Sequence, residues 1–353
     1  MPIALIDVTA LTARCQTWRL LNYVQKKLYK HYSVLLFHTL FACGLLRWFK
    51  MIVGIGSLAL DTTTTPFDTV QEVLGGAIVN FSLASSLFEE TGIVGVIGTD
   101  FPKGYYDILD ARLDLRGLKI EEGKTFRFES TYDYSLCKRY NTKTHLGVME
   151  GFTPSLPEAY KDAEFVYLGT NEPTQNLELL KKIRSPRLTA CDTIELWIET
   201  MKDETLEVMS KVDCVILNDD ETRLLCGTPN LLKGGKTILE WGTNTKHVII
   251  KKGEHGALLV SKDGIFPSSG YPLEEIVDPT GAGDAFAGGF LGHIARSTKN
   301  EKNISINKIK EAMAYGHIIG SFVVEEFSVK KLLDLTLEEI EQRYSVYKEM
   351  VMF

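Results

Sequence analysis

The sequence contains no C-x-x-C pair. Its six cysteines (Cys15, Cys43, Cys137, Cys191, Cys214, Cys226) are scattered through 353 residues, which excludes a zinc ribbon or a disulfide framework and fits a reducing, cytoplasmic setting. Surplus positive charge is missing too. With 39 Lys and Arg against 46 Asp and Glu, the chain lacks the cation excess that a general nucleic-acid binder sets against phosphate. No apolar run reaches the roughly 18 residues of a membrane-spanning helix; residues 32–46, uncharged apart from His38, number 15, and no membrane partner is expected. There is no internal repeat and no low-complexity tract. What remains is ordinary: 44% hydrophobic and 24% charged residues describe a soluble globular chain with a sizeable core, in one large domain or two modest ones.

Acidic residues are scarce in one place. Residues 1–50 carry seven basic groups (Arg14, Arg19, Lys26, Lys27, Lys30, Arg47, Lys50) against Asp7, with the single glycine Gly44, so the rest of the chain holds all of the negative excess. Met51 stands directly before an apolar strand. We therefore expect residues 1–50 to be an extension outside the folded domain, which would occupy 51–353; a targeting or membrane-surface arm and an ordered N-terminal helix are the other readings of this basic segment.

From Met51 onward short apolar runs alternate with helical patterns, which predicts parallel strands joined by crossover helices. Strands are expected at 51–56, 93–97, 164–168, 187–191, 213–217 and 247–251. Helices are expected at 76–91, 103–111, 173–183 and 229–241, followed by a helix-rich segment after Gly281. The stretch 119–150 breaks the pattern, because Phe126-Arg127-Phe128 and Tyr132-Asp133-Tyr134 alternate like strands in a polar setting. Such an insertion can form a small sheet over a site.

Two nucleotide motifs are misleading. Gly54-Ile55-Gly56-Ser57-Leu58-Ala59 matches a dinucleotide pattern, but that motif must open a helix, and the threonines and proline of residues 61–66 follow instead. Gly234-Gly235-Lys236-Thr237 looks like the end of a P-loop, yet Asn230 replaces the first glycine and the run lies within a helical pattern.

The informative segment is Val277-Asp278-Pro279-Thr280-Gly281-Ala282-Gly283-Asp284-Ala285-Phe286-Ala287-Gly288-Gly289-Phe290. A glycine-rich turn running into small and apolar residues at helical spacing describes a loop feeding a helix N-terminus, whose free amides and dipole favour an anion. Gly281 and Gly283 allow close backbone approach. Asp284 would be repelled from a phosphate unless it had a task, and deprotonating an attacking hydroxyl is such a task. Helix capping is the bland alternative.

Residues 278–284 resemble the D-T-x-G-A-G-D signature of the ribokinase-like (PfkB) carbohydrate and nucleoside kinases. The resemblance runs over about 51–330. Gly75-Gly76-Ala77-Ile78-Val79-Asn80 is similar to the family's Gly-Gly turn with an Asn four residues on; Gly95-Val96-Ile97-Gly98-Thr99-Asp100 with Gly104 is similar to G-x-x-G-x-D-x-x-G; Asn218-Asp219-Asp220-Glu221 to N-x-x-E; and Lys252-Gly253-Glu254-His255-Gly256 to K-G-x-x-G. The order of the five elements is that of the family.

The resemblance implies a three-layer α/β/α ribokinase-like fold with a mostly parallel central sheet and a small β lid at 119–150, and transfer of the ATP γ-phosphoryl group to a small-molecule hydroxyl. Asp284 would be the base, with the amides of Gly281, Ala282 and Gly283 holding phosphoryl oxygens. Asn218 and Glu221 would orient Mg²⁺ through water, or form a plain helix cap. Lys252, Gly253 and Gly256 would border the nucleotide. Asp61, Gly75, Gly76 and Asn80 would line the acceptor pocket, although Asp61 also reads as a turn residue. In the lid, Lys124, Arg127, Lys138, Arg139 and Lys143 leave open a phosphorylated acceptor, with Arg127 as the residue expected to touch it, and the lid could also pair two copies in a homodimer.

Pro279 replaces the signature's usual threonine, which leaves a monovalent-cation site open. Residues 312–328 match the family's adenine-binding stretch only loosely, so Gly320, Phe322 and Phe327 receive no role. His255 and His317 read as surface or packing residues. A sugar is the expected acceptor and a nucleoside the alternative. A non-catalytic relative is the remote third reading, because no site residue is missing.

Overall fold

The computed structural model describes residues 51–301 and 303–352; the basic segment 1–50 lies outside them. A nine-stranded sheet has the order β13-β12-β11-β10-β9-β8-β1-β4-β5. Its strands are β1 (Ile52–Ile55), β4 (Thr91–Gly98), β5 (Asp114–Glu121), β8 (Phe165–Leu168), β9 (Leu188–Cys191), β10 (Cys214–Asn218), β11 (His247–Lys251), β12 (Ala257–Ser261) and β13 (Gly264–Ser268). All neighbours pair parallel except the β11-β12-β13 edge, which is antiparallel.

The strands are continuous apolar runs because both faces are covered. Successive side chains alternate between faces: Ile52, Phe165, Tyr167, Ile216 and Ile249 enter one core, while Val53, Val166, Leu168, Leu217 and Ile250 enter the other. The first core is closed by helices α1 (Ala77–Ser86), α2 (Lys103–Asp110), α8 (Ala282–Ser297), α9 (Ile306–Val323), α10 (Lys330–Asp334) and α11 (Leu337–Val351). The second is closed by α3 (Pro173–Leu180), α4 (Glu195–Thr200), α5 (Lys202–Lys211), α6 (Asp219–Cys226) and α7 (Leu231–Trp241). This is the expected three-layer α/β/α architecture. Among the described residues no helix is long and apolar enough to cross a membrane.

A second sheet, β3-β2-β6-β7, forms the lid. It departs from the expected 119–150 insertion at both ends. Residues to Glu121 belong to β5 in the main sheet, and half of the lid comes from much earlier, from β2 (Ala59–Thr64) and β3 (Thr69–Gly75), beside β6 (Arg127–Tyr132) and β7 (Arg139–His145). The threonines and Pro66 hide β2 and β3 from an apolar periodicity reading. Tyr134 lies beyond β6 and is 84% exposed. The expected helix 76–91 is α1 followed by the start of β4, and the hairpin β12-β13 and helices α4 and α5 were not expected. The two decoy motifs behave as read: β1 leads into β2 rather than a helix, and Gly234 to Thr237 lie in α7.

Close packing between α1 and α8 brings their N-termini together. A Cβ on Gly288 would lie 2.3 Å from the Phe81 carbonyl oxygen, so glycine lets the two helices touch backbone to side.

Candidate active site

Helix α8 begins without a side-chain cap. Gly281, its N-cap, sits at φ +78°, a left-handed conformation that glycine adopts at little cost. The Ala282 N–H is already used, donating to the Pro279 carbonyl at 3.2 Å in a tight turn. Of the three amides expected to hold an anion, that of Ala282 is therefore committed to the loop, and those of Gly281 and Gly283 are left without a backbone partner. Asp278, buried at the root of the loop, fixes its shape: its carboxylate accepts the Thr280 N–H at 2.9 Å.

Asp284 lies in the first turn of α8. Burial, and next the charge of Asp192, push its carboxyl up to about 7; Lys251, Arg139 and the Tyr167 hydroxyl pull the other way. Tyr167 reaches this point from β8 by stacking on Phe81 of α1, with ring centroids 4.1 Å apart and planes 6° apart, which sets its buried hydroxyl beside the Asp284 carboxyl.

The acceptor-side residues meet the loop directly. Asp61 accepts the Gly76 N–H at 3.2 Å, and a Cβ on Gly75 would fall 2.0 Å from the Asp61 carboxylate. Asn80 donates to the Gly76 carbonyl at 3.1 Å, and its side chain occupies the space beside Gly281. The Asn80 Oδ1 is buried without a donor, an unmet acceptor that a ligand hydroxyl can satisfy. Asp61 is also pushed up to about 7, chiefly by burial, with Asp278 and Asp284 adding repulsion and the Gly76 amide and Arg139 opposing it. Asp61 is thus part of strand β2, facing Gly75 and Gly76 at the start of α1, and no turn residue.

At the strand ends, Asn218 and Glu221 form a reciprocal capping box on α6, Glu221 N–H to Asn218 Oδ1 at 2.7 Å and Asn218 N–H to Glu221 Oε2 at 2.8 Å. The cap is real and leaves Glu221 Oε1 uncommitted. Burial and then Asp192 raise the Glu221 pKa. Among the described residues no three histidine, cysteine or carboxylate groups converge tightly enough to ligate a metal directly. Asp192, Glu221 and Asp284 nonetheless bring three carboxylates around one ammonium, Lys251, and that excess of negative charge fits a hydrated cation carried in with a triphosphate.

Four expected residues lie elsewhere. Arg127 spends its donors on the base of the lid, bonding Glu72 at 2.7 Å, Asp100 at 2.8 Å and the Thr125 carbonyl at 2.9 Å, so it has little left for an acceptor. Lys252, just past the end of β11, lies near His317 instead, whose pKa burial and then the Lys252 charge depress. Gly256, at φ +82°, is required by the approach of the Ser268 carbonyl, 2.0 Å from where a Cβ would stand; Gly253 meets nothing within 4 Å.

Sequence reasoning missed Lys251, Asp192 and Tyr167, and placed Tyr132 and Arg139 in the lid without linking them to the loop before α8. Lys251 bonds Asp192 at 2.7 Å. Tyr132 and Arg139 face each other across β6 and β7. Tyr132 contacts Thr280 of the loop, and the Arg139 charge reaches both Asp61 and Asp284. Alternation alone could have found the first three, since Asp192, Lys251 and Tyr167 all fall on the sheet face that α8 covers.

Comparison with known proteins identifies the family and the fold. Residues 55–334 match the model of the pfkB family carbohydrate kinases. The chain is 33% identical to a cytidine kinase from Thermococcus kodakarensis over 72% of this chain and 92% of that protein. Its fold is similar to the crystal structure of a Methanocaldococcus jannaschii nucleoside kinase, an archaeal member of the ribokinase family, with TM-score 0.67 and 21% identity over 84% of this chain and 98% of that one. It is likewise similar to a candidate Ribokinase II from E. coli solved with ATP and Mg²⁺, with TM-score 0.67 and 20% identity over 84% and 99% of the two chains. The chain belongs to the pfkB family and is a kinase of the ribokinase fold.

Proposed function

We propose that this pfkB-family kinase transfers the γ-phosphoryl group of ATP to a ribose hydroxyl of a nucleoside. The observation that carries the acceptor assignment is the 33% identity to a cytidine kinase across 92% of that protein. The sugar acceptor expected from the sequence gives way to the nucleoside alternative on this ground.

The site chemistry suits the reaction. Asp61 and Asn80 present a carboxylate oxygen and an unmet amide oxygen to acceptor hydroxyls. Asp284, with its pKa near 7, can take the proton from the attacking hydroxyl at neutral pH. The Gly281 and Gly283 amides at the start of α8 would hold the phosphoryl oxygens as charge builds there, the kind of fixed-dipole stabilisation that phosphoryl transfer needs. Mg²⁺ would neutralise the triphosphate, held through water by Glu221 and Asn218. The catalytic domain in this reading is 51–353.

The test is a panel of cytidine, uridine, adenosine, inosine, ribose and fructose with ATP and Mg²⁺, scored by ADP release. A nucleoside should exceed both free sugars in kcat/KM by about 10² or more, the scale on which a site with buried polar groups rejects a ligand that leaves them unpaired. A free sugar turned over faster than every nucleoside overturns the assignment.

A further inference from the structure

We propose that Lys251 is a catalytic residue, the fixed cation beside the phosphoryl-holding amides, and that Asp192 is the positioning residue that holds its ammonium there. The inference rests on the reading of residues 281–284 as the phosphoryl-transfer loop and goes beyond it by supplying the charge that the loop's dipoles alone lack.

Lys251 is the last residue of β11 and pairs in register with Asn218. It shares the sheet face of Ile249, the face that α8 covers. Its ammonium crosses over the end of β10 to Asp192, just past β9, at 2.7 Å; the two side chains are 15% and 5% exposed. Asp192 is itself pinned, its other oxygen accepting the Thr193 N–H at 2.8 Å. At the other end, a Cβ on Gly283 would stand 3.0 Å from Lys251 Nζ. The ammonium therefore lies against the backbone whose amide is to meet the phosphoryl group, and glycine at 283 leaves room for it.

An ammonium carries three donors. Asp192 takes one, and a phosphate oxygen can take another. Burial works against the Lys251 charge, but Asp192, Glu221 and Asp284 outweigh it and raise its pKa. A triphosphate approaching those carboxylates would be repelled without a fixed cation at the point of contact. A buried pair serving stability alone would be a poor bargain, since apolar replacements often do as well.

The experiment compares Lys251→Met, Asp192→Asn and the double variant in the full chain. It measures kcat, KM for ATP and for the best nucleoside of the panel, binding of ADP and of a non-hydrolysable ATP analogue, and melting temperature. Lys251→Met should lower kcat by about 10² to 10³, the usual cost of deleting one donor to a developing oxyanion, and abolish the preference for the ATP analogue over ADP while nucleoside KM holds. Asp192→Asn should lower kcat less and leave ADP binding intact. The double variant, free of an unpaired buried charge, should regain melting temperature yet stay as slow as Lys251→Met. Recovery of kcat along with stability in the double variant, or full kcat in Lys251→Met, overturns the proposal. Asp284→Asn run alongside separates the two readings: if it is inactive while Lys251→Met is active, only the lysine assignment falls, and if both are fully active the phosphoryl-transfer reading falls with it.

Discussion

The Tyr132 hydroxyl lies 3.2 Å from the Thr280 hydroxyl, joining the lid strand β6 to the loop that starts α8. Tyr132 is only 6% exposed, so its polar end is directed inward at the loop and its ring closes the space between them. This contact couples the position of the lid to the geometry of the loop before α8.

Replacing Tyr132 with Phe should keep the ring and remove the contact. A hydrogen bond of this kind is worth about 1 kcal/mol, or roughly five-fold in an equilibrium constant. We expect acceptor KM to rise by about that factor with ATP KM little changed. Hydrogen exchange in β6 and β7 should quicken. Unaltered exchange and KM would mean that the lid is held by other contacts.

Asp284 links activity and stability to pH with opposite signs. The base proposed here must be ionised, so kcat/KM should fall as pH drops below about 7, the value to which burial and Asp192 push the Asp284 carboxyl. Its pKa in the unfolded chain is about 4, so folding takes up a proton between the two values. Stability from the neutral form is therefore complete below about pH 4 and is lost as pH rises through about 7. Asp284→Asn should cut kcat by about 10² to 10⁴, yet melt no lower than the unsubstituted protein at pH 8, with a shallower dependence of melting temperature on pH. A cap would behave otherwise: its loss would lower the melting temperature at pH 8 and spare kcat.

Much of this site was legible because its parts are local in sequence. Gly281 to Asp284, Gly75 to Asn80 and Asn218 with Glu221 each sit on one turn and bring their own geometry. The lid was half legible: Phe126 to Tyr132 alternate visibly, whereas Leu60 to Thr64 run into three consecutive threonines with no apolar alternation, and their pairing with β6 depends on a contact between segments far apart in the chain. Lys251 and Asp192 were missed for a related reason. Each is a single charged residue at a strand end, and only the sheet order β9-β10-β11 brings them together. Arg127 shows the reverse error, a basic residue in the right segment whose charge is consumed by Asp100 and Glu72.

Arg127 therefore invites a different expectation from that of an acceptor contact. Its bonds to Asp100 and Glu72 tie β6 to the loop after β4 and to β3, and Asp100 is held well below the usual carboxylate range, at about 2, because the Thr125 and Arg127 hydrogen bonds outweigh its desolvation. Arg127→Ala should loosen the base of the lid, lowering kcat/KM for all nucleosides alike and speeding exchange in 124–145. A change confined to selectivity among acceptors would restore the direct contact.

A chain starting at Met51 should fold and retain its kcat/KM within about two-fold, a margin well under 1 kcal/mol. The family match begins at residue 55, and β1 begins at Ile52. Comparing melting temperature and kcat/KM with the full chain decides it; a several-fold loss of activity would make residues 1–50 part of the domain.

Gly281→Ala concentrates two penalties in one atom. At φ +78° an alanine pays about 1 to 2 kcal/mol for a left-handed backbone, and its Cβ would fall 2.4 Å from the Asn80 side chain. Asn80 would have to leave the Gly76 carbonyl, and the loop would tilt the Gly283 amide and Asp284 away from their shared focus. We expect a loss of about 1 to 3 kcal/mol in stability and a drop in kcat/KM of more than about ten-fold, because misplacement by about 1 Å is enough to cost that much. Gly253→Ala is the control: its φ of +54° carries the backbone strain, but no atom lies within 4 Å, so stability should fall modestly while kcat/KM holds. If the two variants lose activity equally, the damage comes from backbone strain in general and the contact between Gly281 and Asn80 plays no part in catalysis.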